Sequence, residues 1–327
     1  MGISKYAASS LIAESKRIPF EGSILELGKQ DIGFDIDALQ KIAVRYNYEL
    51  KKPKNISLNL KEAFSCRKCI DDKYFFSAIG FNNVSSLDFS NYESADVIFD
   101  LNTSETPDHL LNSFDVIFDG GTIEHTFHLP NVMKNIVNML KIGGRIIHNS
   151  PSSNYVDHGF YMFSPTFFMD YYLANKFEIN TINLFRHSRN SDNEPFEFYN
   201  YSPDAFSPYS YGGLDGAMYG VLCIATKTRE STNNVVPQQG SYQKIWEKHN
   251  HYQNLSVNNS LYDESQMNNG FRLIKDHTPQ RIHPIMSSTY RISHEIISRI
   301  RRKYDYYVKD YCYGRKPNLK INDEIKV

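Results

Sequence analysis

Residues 113–151 read SFDVIFDGGTIEHTFHLPNVMKNIVNMLKIGGRIIHNSP, and this stretch decides the fold. Its residues 116–118 form a short apolar run with β-branched members, which is typical of a strand buried on both faces. Asp119, Gly120 and Gly121 end the run with polar and flexible residues. Open α/β sheets bind their ligands at the carboxyl ends of such strands, so a ligand-facing loop is predicted here.

A helical pattern follows this loop. Pro130 stands near the predicted helix start, where its missing N–H has no cost. Gly143 and Gly144 are predicted to end the helix, and residues 145–147 begin another strand. Strand, loop, helix, glycine turn and strand make a βαβ unit, which predicts a mainly parallel sheet. The apolar residues at spacings of three and four are Leu129, Val132, Ile136, Met139 and Leu140.

These residues resemble the fourth strand, the following helix and the fifth strand of class I S-adenosylmethionine-dependent methyltransferases. In that family a strand of the form FDxI precedes a Glu-His pair, a helix and a Leu-Lys-x-Gly-Gly turn. Here Glu124 and His125, and then residues 140–144, stand at the corresponding positions. The resemblance implies S-adenosylmethionine as cofactor. It also implies a Rossmann-like α/β fold with a doubly wound, mainly parallel seven-stranded sheet whose last strand is antiparallel.

Composition excludes several other classes. The chain has 327 residues, a net charge of −1 and a pI near 6.8, so no basic field indicates a nucleic-acid partner. No run approaches the about 20 apolar residues that span a bilayer, and the N-terminus lacks the apolar core of a signal peptide. We therefore predict a cytoplasmic protein. Cys66 and Cys69 have a metal-like spacing without a second pair, so no metal site is predicted.

The first strand is predicted at residues 23–27, followed by a turn at Gly28. At this turn the resembling family has an acidic residue and several glycines, which let backbone N–H groups approach the cofactor without an intervening Cβ. Glu26 and Gly28 match that pattern, whereas Gln30 and Ile32 replace the later glycines. The G-x-G-x-x-G fingerprint of nicotinamide dinucleotide folds is absent, which disfavours an oxidoreductase.

Two further predicted strands, at residues 84–88 and 95–100, end in Asp88 and Asp100. A carboxylate at the first position accepts ribose hydroxyls in nucleoside-binding α/β folds, and the resemblance implies that Asp100 contacts the adenine amino group. A single strand-end Asp is more often a turn former or a helix cap, but a set of acids at converging strand ends favours a cofactor site. The predicted cofactor-binding residues are Glu26, Gly28, Gln30, Asp88, Asp100, Leu101, Asp119 and Gly120.

The rest of the chain is organised around this sheet. We predict a helical lead-in at residues 1–20, a methyltransferase-like domain at 21–228, and a polar linker with a C-terminal helical extension at 229–327. Within the domain, residues 34–80 are an insertion and residues 186–218 an aperiodic, cap-like segment. Further helices are expected at 37–43, 60–69, 164–175 and 241–249, and the last two strands at 177–185 and 219–226.

A last helix is predicted at residues 288–311, with one apolar stripe. Its basic patch could lie on an anionic membrane. The interpretation that we favour is that the helix docks on the domain or on another subunit. The basic residues are Arg299, Arg301, Arg302 and Lys303.

The chemistry predicted for the site is methyl transfer to an oxygen or nitrogen of a small molecule or a sugar unit. Such an acceptor must lose a proton, for which a nearby imidazole is suited. His125 follows the fourth strand and His158 lies in the loop after the fifth, and Tyr161 could orient an acceptor hydroxyl. Each histidine could instead form a structural hydrogen bond. The alternative function is a non-catalytic scaffold with a methyltransferase fold, which the incomplete glycine loop supports.

Overall fold

The computed structural model describes residues 2–53, 55–188, 196–203, 205–209, 213–243 and 245–247. The chain divides into two compact units. The larger holds the described residues up to Ser207 and those from Gly216 to Gly240, and it contains every strand and α-helix listed below. In the second unit, residues 241–243 and 245–247 are helical, within the helix predicted at 241–249.

Eight strands of the larger unit form one mixed sheet in the order β5-β4-β2-β6-β7-β10-β8-β9. The pairs from β5 to β7 are parallel, whereas β10 is antiparallel to both of its neighbours and β9 is antiparallel to β8. A separate parallel pair joins β1 and β3. The strands are β1 Gly2–Ile3, β2 Ser23–Leu27, β3 Asp31–Ile32, β4 Asn83–Asp88, β5 Val97–Ile98, β6 Phe114–Asp119, β7 Leu140–Ser153, β8 Glu178–His187, β9 Glu197–Asn200 and β10 Met218–Thr226.

The predicted doubly wound sheet with an antiparallel last strand is confirmed, with one strand added. The segment predicted to be aperiodic at 186–218 contains β9, which pairs with the edge strand β8 and buries Phe198 and Tyr199. A strand of only four residues has no measurable period, so its formation depends on the neighbouring strand and not on local pattern.

The helices follow the sequence pattern where it was strong. Helix α6 begins after Ser164, whose side chain accepts a hydrogen bond from the backbone N–H of Thr166 at 3.3 Å. The helix expected at 60–69 is helical only over the four residues of α3, and α4 behind it was not predicted. The helices are α1 Lys5–Arg17, α2 Ile36–Arg45, α3 Glu62–Ser65, α4 Asp72–Ala78, α5 Leu129–Met139 and α6 Pro165–Ala174.

Strand β7 begins earlier than predicted, at Leu140, so Gly143 and Gly144 lie inside it and not in a turn before it. The N–H of Gly143 donates to the carbonyl of Lys227 at 2.7 Å, and the N–H of Lys227 donates to the carbonyl of Gly144 at 2.9 Å. Contact with the chain beyond β10 therefore extends the strand. Gly143 has a φ of +81°, which glycine adopts without steric cost.

A buried ion pair holds α1 against the sheet. The guanidinium of Arg145 on β7 donates from Nη1 to Oε1 of Glu14 at 2.5 Å and to the carbonyl of Ile18 at 3.0 Å. Its Nη2 donates to the carbonyl of Pro19 at 3.2 Å, and the group lies 4.7 Å from the centre of the Phe20 ring. The lead-in helix is therefore fixed to a central strand by charge as well as by apolar packing.

One prediction lies outside the described residues, and another stays untested. The helix at 288–311 falls outside the described residues, and the domain boundaries at 20/21 and 228/229 stay predictions. Among the described helices, none has the length and apolar character needed to cross a membrane.

Candidate functional site

The loops after β2 and β6 meet at the carboxyl edge of the sheet. Gly28 has a φ of +65°, and its N–H donates to the carbonyl of Leu87 at 2.7 Å. A Cβ on Gly28 would lie 2.7 Å from the hydroxyl oxygen of Thr122, which itself donates to the carbonyl of Leu27 at 2.5 Å. Glycine is therefore required at position 28 both by backbone conformation and by the close approach of the second loop.

Gln30 explains how the loop keeps its shape without the later glycines. Its side-chain amide folds back and donates to the carbonyls of Leu27 at 3.1 Å and Gly28 at 3.0 Å. Its backbone N–H donates to Oε2 of Glu26 at 3.2 Å. A Cβ on Gly120 would lie 2.4 Å from the side-chain oxygen of Gln30, so the glutamine occupies space that a larger residue at position 120 would need. The side chain of Gln30 therefore stabilises the loop through hydrogen bonds to the loop's own carbonyls.

Glu26 is fully buried on β2, and its Oε1 has no hydrogen-bond partner among the described residues other than the carboxyl of Asp72. Burial raises the pKa of this carboxyl well above its usual range, and the neighbouring carboxyl of Asp72 adds to the shift. Asp72 lies in the first turn of α4 and is also buried. Asp72 was not predicted as a site residue, because the helix that brings it to the end of β2 was not predicted.

Replacing Glu26 by glutamine is expected to stabilise the ligand-free protein as the pH rises. A carboxyl whose pKa is raised by folding contributes its full stability below the unfolded pKa, near 4.5, and loses it as the pH rises towards the folded pKa. The advantage of Glu26→Gln should therefore grow by about 1.4 kcal/mol for each pH unit in that window. Denaturant melts between pH 4 and pH 8 measure it, and Glu105→Gln, at an exposed acid, is the control. A constant difference across this range would contradict the assignment.

Asp88 and Asp100 each keep one carboxylate oxygen free. Oδ1 of Asp88, at the end of β4, accepts from the N–H of Ser90 at 3.3 Å. Oδ1 of Asp100, two residues beyond β5, accepts from the N–H and the side-chain amide of Asn102 at 2.9 and 2.8 Å. Within the described part of the chain, Oδ2 of either residue accepts no hydrogen bond. Leu101, beside Asp100, is buried. Both acids therefore form local turns and still have an oxygen available to a ligand.

Asp119, by contrast, uses both oxygens within the protein. Oδ1 accepts from the N–H groups of Thr122 at 2.9 Å and Ile123 at 3.3 Å. Oδ2 lies 2.8 Å from Nδ1 of His148, whose Nε2 lies 2.7 Å from the hydroxyl of Tyr172. All three side chains of this Asp119–His148–Tyr172 chain are fully buried. Its role as a cofactor ligand stays a prediction, and the contacts present show it ordering the loop after β6.

The two predicted histidines lie side by side. The ring centres of His125 and His158 are 5.1 Å apart, and both rings face the carboxyl of Glu124. Burial, followed by the charge of Asp119, raises the pKa of Glu124 to about 8. Burial, followed by the charge of His158, lowers the pKa of His125. Both histidines were predicted site residues, whereas Glu124 was not, because only the fold brings His158 back to it.

The third predicted catalytic residue, Tyr161, donates its hydroxyl to the carbonyl of Phe127 at 2.7 Å. Phe127 and Phe160 are 62% and 65% exposed, and their rings meet edge to face at 5.6 Å. Each of these rings stands two positions after one of the paired histidines in the sequence. Exposed aromatic pairs of this kind suit a ligand with an apolar face.

Comparison with known proteins gives no match to a protein-family model and no match among curated proteins. Many solved structures resemble the chain. YcgJ from Bacillus subtilis has 11% identity and a TM-score of 0.35, over 68% of this chain and 98% of that one. The 1,6-didemethyltoxoflavin-N1-methyltransferase of Burkholderia thailandensis, solved with S-adenosylhomocysteine, has 12% identity and a TM-score of 0.32, over 68% and 79%.

A third similar structure is the phosphoethanolamine N-methyltransferase 2 of Haemonchus contortus, also solved with S-adenosylhomocysteine. It has 14% identity and a TM-score of 0.32, over 67% of this chain and 52% of that one. The identities and TM-scores of all three are low. These likenesses therefore carry no conclusion about the function of this chain.

Proposed function

We propose that this chain is an S-adenosylmethionine-dependent methyltransferase acting on an oxygen or nitrogen of a small molecule or sugar unit. One observation carries the proposal. Strands β5, β4 and β2 are consecutive in the sheet, and an acid lies at or just beyond the carboxyl end of each. Asp100 and Asp88 each keep one oxygen without a hydrogen bond among the described residues, and Oε1 of Glu26 has no partner there other than the carboxyl of Asp72. Acids in this order along one edge suit a ligand that presents donors along its length.

S-adenosylmethionine is such a ligand, because its ammonium group, its ribose hydroxyls and its adenine amino group all donate. The residues present fit it: Glu26 for the ammonium end, Asp88 for the ribose and Asp100 for the adenine. Charge-assisted hydrogen bonds to carboxylates are roughly twice as strong as neutral ones, which favours this pairing. When bound, the cofactor supplies a methyl group on a positively charged sulfur.

The protein's own contribution to the reaction is position and proton handling. Well-oriented reactants gain on the order of 7–11 kcal/mol from proximity. His125 and His158 stand two positions before Phe127 and Phe160, the exposed ring pair on which an acceptor with an apolar face would rest. A side chain in that position that takes up the acceptor's proton contributes about 10²–10⁴-fold.

One observation favours the alternative function, a non-catalytic scaffold. The side chain of Gln30 fills space in the loop after β2 that a second glycine would leave open. A scaffold would need no room for a cofactor there. The two functions differ in whether the carboxyl edge binds a nucleoside ligand at all.

Cofactor titration tests the proposal. S-adenosylmethionine or S-adenosylhomocysteine should bind and raise the melting temperature, because a ligand at 100 times its Kd stabilises the native state by about 2.7 kcal/mol. Calorimetric titration of the full chain measures the affinity, with NAD as the comparison ligand. If only NAD binds, the protein is not a methyltransferase, and if none of the three binds, the scaffold function is supported.

Asp88→Ala is expected to weaken cofactor binding by about 1.5–3 kcal/mol, or roughly 10- to 150-fold, with little effect on folding. The physical reason is the loss of one charged acceptor whose Oδ2 has no other partner in the described chain. Asp108→Ala, at an exposed acid in the turn before β6, is the matched control and should leave the affinity unchanged. Unchanged affinity in folded Asp88→Ala would show that Asp88 only stabilises the turn after β4 and does not bind the cofactor.

The partners and the location stay predictions. We infer a small-molecule or carbohydrate acceptor and no nucleic-acid partner, which the near-zero net charge supports. Membrane or subunit contact through the basic helix at 288–311 and a cytoplasmic location are further predictions from the sequence.

A further inference from the structure

Glu124, His125 and His158 form a compact group, the Glu-His-His cluster, whose ligand atoms all lie within 4.8 Å of one another. Nε2 of His158 is 3.6 Å, and Nε2 of His125 is 4.0 Å, from Oε1 of Glu124. Both distances are too long for hydrogen bonds. The first is close to the separation of about 3.4 Å between two ligands that each bind a tetrahedral cation at about 2.0–2.1 Å, and the second is 0.4 Å longer than the first.

The burial of unpartnered atoms is an independent sign of a ligand. The side chain of Glu124 has no exposed surface, and neither of its oxygens has a hydrogen-bond partner among the described residues. Nε2 of His158 is likewise buried without a partner there. Leaving a buried polar atom unsatisfied costs about 1–3 kcal/mol, so three such atoms around one point indicate a missing partner that accepts lone pairs.

We propose that the Glu-His-His cluster binds one divalent transition-metal ion of the Zn²⁺, Co²⁺ or Mn²⁺ type. Imidazole nitrogens and a carboxylate oxygen are the ligands that such ions take. A site with three protein ligands leaves at least one position open, which is the arrangement of catalytic and not of structural metal sites. No ligand spacing marks this site in the sequence, because Glu124 and His158 are 34 positions apart.

The backbone holds the two ligand-bearing loops together. The carbonyl of Glu124 accepts from the N–H groups of Phe160 at 2.7 Å and Tyr161 at 3.3 Å. Gly159 permits this approach, since a Cβ there would lie 2.9 Å from the carbonyl oxygen of Glu124 and 3.0 Å from its Cγ. His158 is therefore directed against Glu124 by neighbours that do not depend on a metal ion.

The use of the ion rests on the proposed function. An acceptor hydroxyl would take the open position, with the ion as a Lewis acid that lowers the pKa of the bound O–H group. The O–H bond then breaks, the proton passes to water, and the oxygen keeps the electron pair and becomes the nucleophile. Under this arrangement both histidines act by holding the ion, whereas without an ion His158 would take up the proton itself.

Metal titration of the full chain, first freed of metal with a chelator and carrying no histidine tag, tests the site without any cofactor. One Co²⁺ or Zn²⁺ per chain is expected to bind, and Co²⁺ should develop a visible absorption band. Loss of groups that only orient metal ligands costs about 10–100-fold in affinity, so His158→Ala and Glu124→Gln should cost at least that much. Gly159→Ala, which displaces a ligand without removing one, should fall within this 10–100-fold range.

Two further variants make the result decisive. His125→Ala removes an exposed ligand and should weaken binding even if changes at buried Glu124 disturb folding. His128→Ala removes an exposed imidazole three positions away and should change nothing. Absence of stoichiometric binding, or an equal loss in His128→Ala, overturns the proposal.

The experiments distinguish a failure of the metal site from a failure of the proposed function. If the ion binds but S-adenosylmethionine does not, the methyltransferase assignment is wrong and the metal site stands. If methyl transfer runs at full rate in chelator-treated protein, the catalytic use of the ion is wrong and the methyltransferase assignment stands.

Discussion

His158→Ala is expected to lower the rate of methyl transfer by about 10²–10⁴-fold while leaving the affinity for S-adenosylmethionine nearly unchanged. His158 lies on the loop after β7, and its Nε2 is directed at Glu124. The proposed cofactor residues lie instead at the ends of β2, β4 and β5. Loss of the imidazole should therefore affect the step that removes the acceptor's proton, whether the imidazole takes the proton or holds an ion that does so.

The measurement needs an acceptor, which can be found by screening sugars and metabolites for production of S-adenosylhomocysteine. The catalytic rate and the cofactor Kd are then compared between wild type, His158→Ala and the control His109→Ala, at an exposed imidazole in the turn before β6. His125→Ala should lower the rate and also disturb cofactor affinity or stability, because His125 follows the loop that contacts Gly28. Full activity in folded His158→Ala would leave positioning alone, or His125, to account for the chemistry.

Glu14→Ala is expected to destabilise the protein by about 3–5 kcal/mol, the usual cost of breaking a buried ion pair by removing one partner. Arg145 is buried, and Glu14 is the only carboxylate within ion-pair distance of it among the described residues. Its other contacts are the carbonyls of Ile18 and Pro19 and the ring of Phe20. Removing the carboxylate would leave a positive charge in the core between α1 and β7.

Arg17→Ala is the matched control, because Arg17 pairs with the same carboxylate at 2.9 Å but is 44% exposed. Exposed ion pairs contribute about 0–1 kcal/mol, so this variant should unfold at almost the same denaturant concentration as wild type. Equal losses in Glu14→Ala and Arg17→Ala, measured by urea denaturation, would show that the Glu14–Arg145 pair does not anchor the lead-in helix.

Residues 113–151 alone were sufficient to predict the central part of the fold. The apolar run of β6 and the three-to-four spacing of α5 are local patterns, and each specifies its own element whatever the rest of the chain does. The positions of the acids at the ends of β2 and β4 could also be predicted, since parallel strands bring their carboxyl ends to one edge of the sheet. Strand β9 and helix α4 lacked such a pattern, and their formation depends on neighbours far away in the sequence.

The site was predicted only in part. Gln30 stands where the glycine-rich loop of the resembling family has a glycine, so from the motif it reads as a lost glycine. In the structure its side-chain amide donates to the carbonyls of Leu27 and Gly28. Whether a side chain can replace a glycine depends on the space and the acceptors around it, and these come from another loop. The distance between the two loops cannot be read from the sequence of either loop.

The sequence by itself predicted the parallel part of the sheet and its antiparallel last strand, and it placed His125 and His158 in the loops that follow β6 and β7. That a ligand binds at this edge stays a prediction. Only the tertiary structure decided that Glu124, His125 and His158 share one point, that Asp119 is engaged with His148, and that Arg145 neutralises Glu14. The physical reason is that periodicity and turn chemistry act between residues a few positions apart. Buried charges and metal ligands are instead satisfied by whichever partner the packed core brings within a few ångströms.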